Sequence, residues 1–203
     1  MEEIKTVIFD LGGVLIDWDP RYMYKTVFET SEAMEHFLST VCTSAWNEEQ
    51  DGGRSISEAT EVLSKEHPQY SAEIKAFYSR WTEMLGGPIP ETVNLLKELK
   101  ATGKYQLIAL TNWSAETWPI ATERYQFLRW FEGILVSGQE KLKKPDANFY
   151  HLLLERYDVD INSAFFIDDN ERNIKAAELL GIKSFQFGRD KIDELRALLL
   201  SVQ

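Results

Sequence analysis

Asp10 follows the apolar run 4–9 and precedes a glycine pair in the stretch FDLGGVLIDWD, residues 9–19. An aspartate delivered this way by a buried strand can act as a nucleophile on phosphorus. Phosphate-handling loops often carry a second carboxylate two positions later for proton transfer, and here that place is Gly12. Further sets of reactive residues follow later apolar runs: Thr111 and Asn112 after LIAL, Lys144 in the loop SGQEKLKKPD, and Asp168 with Asp169 after AFFI. Ligands of open α/β sheets gather beyond the carboxyl ends of the strands, so these sets are expected on one face despite their separation. Three carboxylates in a small space repel one another unless a cation sits among them, and hard Mg²⁺ prefers such oxygen ligands. Asp10 could then attack phosphorus while Thr111 and nearby backbone amides hold the phosphoryl oxygens. Lys144, a compact cation, could pair with both Asp10 and the phosphoryl group.

Five apolar runs supply strands able to carry these residues: 6–9, 106–110, 133–136, 164–167 and, as a fifth candidate, 184–187. Helical periodicity over 91–101, 147–157 and 171–180 separates the later runs. The last of these opens after Asn170, a good N-cap, and closes on Gly181. Strands alternating with such helices predict an α/β fold with a parallel sheet covered on both faces. From about Asp19 to Gly87 the rhythm breaks. There is no clear strand there, helical patterns run over 21–29, 32–40, 57–66 and 72–85, and the turn-rich WDP and GGPIP mark the limits. This interval reads as an all-helical insertion after the first strand. The expected division is a core of residues 1–17 and 88–203 and an inserted segment of residues 18–87.

With 203 residues the chain can bury a sizeable core, and its net charge of −11 argues against nucleic acid or an anionic membrane as partner. Acidity does not forbid a phosphorylated substrate, because a bound divalent cation reverses the local field. Cys42 is the only cysteine, which excludes an intramolecular disulfide and a Cys-based zinc site. No apolar stretch reaches transmembrane length, and the start MEEIKTVIF lacks the basic beginning of a signal peptide. The expectation is a cytoplasmic monomer or weak homodimer acting on a small molecule.

Taken together, FDLGGVLID, LTN, KKPD and FFIDDN resemble, in order, the four motifs of the haloacid dehalogenase-like hydrolase superfamily, and the likeness spans the whole chain. The resemblance implies a Rossmann-like core with a helical cap and a Mg²⁺-dependent phosphatase acting on a small phosphorylated metabolite, such as a sugar phosphate. It implies that Asp10 is the nucleophile and forms an aspartyl intermediate, and that Thr111 and Lys144 bind the phosphoryl group. Asp169 would be the direct metal ligand of the acidic pair, with Asp168 direct or through water. The backbone carbonyl of position 12 is also a metal ligand in the family, a function Gly12 retains. The family's usual aspartate there is absent, and general acid–base assistance is typically worth ~10²–10⁴ in rate. Asp17 and Asp19 are the nearest carboxylates in sequence. Two alternatives stand beside this reading: a 2-haloacid dehalogenase using the same aspartate on carbon, and a catalytically weak phosphometabolite- or partner-binding protein. Dehalogenases of the superfamily work without metal and generally lack the acidic pair, which favours phosphate.

Caps in this family lower residues onto the leaving group. That makes Trp46, Asn47 and Arg54, within SAWNEEQDGGRSIS, candidates for substrate selection; Asn112, beside Thr111, is a further substrate-binding candidate. Trp18, Trp113 and Trp118 are candidates to wall the pocket, or to pack beside it.

Overall fold

The computed structural model describes residues 3–200. Among the described residues, seven strands run in order: β1 (Thr6–Phe9), β2 (Ile16–Trp18), β3 (Leu85–Pro88), β4 (Gln106–Thr111), β5 (Gly133–Val136), β6 (Ala164–Asp168) and β7 (Lys183–Gln186). Between β2 and β3 lie α1 (Arg21–Tyr24), α2 (Ser31–Thr40), α3 (Ser44–Asp51), α4 (Ile56–Glu66) and α5 (Ser71–Ser79). The remaining helices are α6 (Pro90–Thr102), α7 (Trp118–Arg124), α8 (Ser137–Glu140), α9 (Ala147–Arg156), α10 (Glu171–Leu179) and α11 (Ile192–Leu200).

Five strands form one parallel sheet in the order β5-β4-β1-β6-β7. Successive side chains of a strand point to opposite faces, and the burial follows that period. Val7 and Phe9, Leu107 and Ala109, Phe165 and Ile167 enter one apolar cluster. Ile8, Ile108 and Phe166 enter the other. Both faces are therefore covered, which is why these strands read as continuous apolar runs. The first cluster continues through Met23, Tyr24, Phe37 and Phe77, so the helical segment packs into the same apolar mass. The α/β fold with a parallel, Rossmann-like sheet is as expected.

Register aligns the strand ends. Phe9 pairs across the ladder with Ala109 on one side and Ile167 on the other. Asp10, Thr111 and Asp168 thus leave the central strands at nearly the same level. The expected long helix over 21–29 is only four residues, and the expected 72–85 helix gives way to a 3₁₀ turn at Trp81–Met84. Of the elements that the sequence reading did not foresee, two bear on the site. One is the antiparallel pair β2 and β3, in which Ile16 faces Pro88 and Asp17 faces Gly87. The other is α3, capped by Thr43, whose hydroxyl accepts from the Trp46 amide. No helix among the described residues is long and apolar enough to cross a membrane.

Candidate active site

Lys144 has no exposed surface, and its Nζ lies 2.9 Å from Asp10 Oδ1 and 2.6 Å from Asp168 Oδ2. Burial alone would lower the lysine pKa; Asp10 and Asp168 outweigh it and raise it above its ordinary value, holding the ammonium charged. Its backbone is gripped by one side chain: Asn112 Nδ2 donates to the Lys144 carbonyl at 3.0 Å, and the Lys144 amide donates to Asn112 Oδ1 at 2.9 Å. Lys143, the neighbouring lysine, instead donates to the Glu48 carbonyl at 2.9 Å.

Asp10 is buried, and Oδ1 accepts from the Leu11 amide at 2.7 Å. Burial raises its carboxyl well above the usual range, Lys144 pulls it down, and Asp168 and Asp169 push it up again. One carboxylate oxygen from each of Asp10, Asp168 and Asp169 lies within 4.8 Å of the others. This is an oxygen-only, anionic donor set, and it fits a hard divalent cation such as Mg²⁺. Asp168 is fully engaged: it accepts from Lys144, from the Asn170 amide at 2.8 Å and from Asn173 Nδ2 at 3.1 and 3.0 Å. Asp169 is more exposed and faces the cavity, and burial followed by Asp168 raises its carboxyl.

The glycine pair divides its duties. Gly13 has φ +72°, and a Cβ there would fall 2.2 Å from Asp169 Oδ2, so only glycine lets this loop approach the acidic pair. A Cβ on Gly12 would meet no heavy atom within 4 Å.

A cavity of about 280 Å³ opens beside these groups, close to the small end of ligand pockets, roughly 300 Å³. Asp10, Gly12, Asn112, Lys144 and Asp169 line its floor. Ser44, Asn47, Glu48 and Asp51 face it from α3 at the 3–4 residue spacing of one helix face. Trp18, Tyr78, Trp81 and Trp113 also line it. Thr111 is fully buried at the end of β4 with its hydroxyl unpartnered, and it is not among the residues that line the cavity.

The proposed selectors separate. Asn47 reaches the cavity, accepting from Tyr78 OH at 2.9 Å. Trp46 and Arg54 do not line it. Trp46 packs edge-on to Phe77 at 5.2 Å and against Tyr78 at 5.6 Å. Arg54 turns back to Gln50 Oε1 at 2.8 Å and the Trp46 carbonyl at 3.3 Å, tying down the end of α3. Trp118 packs behind Trp113 at 5.8 Å. Asp51, Tyr78 and Trp81 were not singled out in the sequence. With α3 recognised from its Thr43 cap, Asp51 follows, one turn beyond Asn47 on the same face.

Comparison with known proteins agrees with this geometry. The chain is 28% identical to a sesquiterpene phosphatase of Aspergillus oryzae, over 88% of this chain and 87% of that protein. It is 26% identical to a drimenol cyclase of Aspergillus calidoustus, over 98% of this chain but only 36% of that longer protein. Among solved structures, a HAD family enzyme of Bacteroides thetaiotaomicron, in complex with magnesium and inorganic phosphate, superimposes with a TM-score of 0.69. That match is 25% identical and covers 91% of this chain and 94% of the other. The family model of haloacid dehalogenase-like hydrolases matches residues 4–181. Strand-end aspartate, buried lysine, acidic pair and family match converge: the chain belongs to the haloacid dehalogenase-like hydrolases.

Proposed function

We propose that this hydrolase is a Mg²⁺-dependent phosphatase that cleaves a small phosphate monoester through an aspartyl phosphate on Asp10. The observation that carries the reading is the buried Lys144 bridging Asp10 and Asp168 beside three clustered carboxylates. In this reading Asp10 attacks phosphorus, Lys144 balances the charge of the nucleophile and of the transferred group, and water then cleaves the acyl phosphate. Asp10, the Gly12 carbonyl, Asp169 and Asp168 would hold the cation. When bound, it supplies charge neutralisation for the phosphoryl oxygens. Thr111 and Asn112 act at the phosphoryl end, Asn112 by fixing Lys144. The segment 18–87 acts as a cap over a core of residues 1–17 and 88–203, with α3 and Asn47 facing the leaving group. The likeness to a sesquiterpene phosphatase and to an enzyme crystallised with magnesium and phosphate supports the reaction class. The acidic pair speaks against a dehalogenase, whose carboxylate attack on carbon requires no cation.

The test is phosphate release across a panel of phosphorylated metabolites, with Mg²⁺ or with chelator, for wild type and Asp10→Asn. Chelation should abolish release, and the substitution should lower it by about 10⁴-fold or more, as loss of a nucleophile does. Activity that survives both changes would overturn the mechanism.

A further inference from the structure

Cleaving an ester with a poor leaving group requires a proton on the departing oxygen, and Gly12 has no side chain to give it. Asp17 and Asp19 are occupied elsewhere. Asp17 accepts from Tyr22 OH at 2.9 Å and pairs with Arg189 at 3.1 Å. Asp19 accepts from the Arg21 amide at 2.9 Å and pairs with its guanidinium at 3.3 Å. Neither lines the cavity. Among the described residues, the carboxylates that do are Asp10, Glu48, Asp51 and Asp169. Asp10 is the nucleophile, Asp169 belongs to the cation set, and Glu48 is held by Arg172 at 2.9 Å. Asp51 is held differently: its carboxyl accepts from Asn47 Nδ2 at 3.4 Å and from the Ser114 backbone amide, with the Lys143 charge acting from a distance. Its position is fixed, because the Ser137 hydroxyl donates to the Asp51 carbonyl while accepting from the Trp113 amide at 2.9 Å.

We propose that Asp51, at the end of α3, is the proton donor to the leaving group, doing from across the cavity what position 12 cannot. The inference rests on the phosphatase reading. In the first step the Asp10 oxygen bonds to phosphorus, the bond to the leaving oxygen breaks, and that oxygen departs with its electron pair and takes the Asp51 proton. In the second, the Asp51 carboxylate takes a proton from water as the water oxygen bonds to phosphorus. The bond from phosphorus to Asp10 breaks, releasing inorganic phosphate and restoring both aspartates. Burial pushes the Asp51 carboxyl up to about 7, with Lys143 and Lys144 lowering it and Glu48 raising it, so both protonation states are available near neutrality. Tyr78 of α5 lies near the same carboxyl, and burial first, with Asp51 a lesser cause, raises its phenol.

The test compares kcat/KM for an alkyl phosphate and for p-nitrophenyl phosphate, whose leaving group departs unprotonated. Asp51→Asn should cost the alkyl ester ~10²-fold and at least tenfold more than the aryl ester. Adding Gly12→Asp, for which the loop has room, should restore the alkyl rate selectively. In wild type, the alkyl-to-aryl ratio should fall as pH rises through about 7. Equal losses for both esters, no rescue by Gly12→Asp, or a wild-type ratio independent of pH would overturn the assignment. Should wild type release phosphate from neither ester, the phosphatase reading fails first and the inference falls with it.

Discussion

The cavity has two walls built on different terms. On the sheet side, Asp10, Lys144 and Asp168 stand at or beyond strand ends, deeply buried, each charge matched at 2.6–2.9 Å. On the side of α3, Ser44, Asn47 and Asp51 are half-buried or exposed and met mostly by amides and hydroxyls. Strand register places Asp10 and Asp168, and the Asn112 grip places Lys144, so the charges of the first wall are fixed in advance of any ligand. One face of α3 builds the second wall from side chains, Ser44, Asn47, Glu48 and Asp51, that any change of sequence on that helix can alter. On the proposed reading, the fixed charges serve the attack on phosphorus, and the helix face meets the leaving group, Asn47 by contact and Asp51 by its proton.

The comparison can be broken most forcefully on the sheet side. Lys144→Met should lower kcat by about 10²–10³-fold. It should also cost ~3–5 kcal/mol in denaturant unfolding, because Asp10 and Asp168 stay buried without their cation. A stable, active Lys144→Met protein would show that the sheet wall is not electrostatically committed. Asn112→Ala removes the grip on the Lys144 backbone while leaving every charge of the wall in place. A loss of roughly 10–100-fold in kcat/KM is expected from misplacing the ammonium. The effect should be similar for all substrates, whereas a loss confined to one would move Asn112 to the selecting side. The smallest effect belongs to Arg54→Ala. It removes bonds to Gln50 and Trp46 and should shift unfolding by about 1 kcal/mol or less. A strong effect on KM would return Arg54 to the cavity.

The same division explains what could be read from the chain alone. The sheet wall was legible because buried parallel strands write themselves as apolar runs, and because Asp10, Asn112 and Asp168 sit where those runs stop. Even so, β4 and β6 extend one residue further than the runs, taking in Thr111 and Asp168. The helical wall was hidden. Its helix α3, SAWNEEQD, has no apolar period to announce it, since its inward face is polar toward a cavity rather than apolar toward a core. Trp46 and Arg54 drew attention by residue type but serve packing and the helix end. Asp51 looked like the start of a turn. The pair β2 and β3 was hidden for another reason: LGGP reads as a loop, yet Gly87, with φ +108°, bends the strand into its ladder, and Gly86 leaves the space that Asp17 and Tyr22 fill.

That small ladder has a consequence for how the chain tolerates change. With Ile16 opposite Pro88 and Asp17 opposite Gly87, the helical segment leaves and rejoins the sheet region at neighbouring points. The ends are already closed by the hairpin, so the entropic penalty of what lies between grows only with the logarithm of its length. Doubling the segment would add about 0.6 kcal/mol. Lengthening, shortening or replacing it is therefore inexpensive for the strands that carry Asp10, provided the new helices still cover the apolar face that Met23, Phe37 and Phe77 cover now.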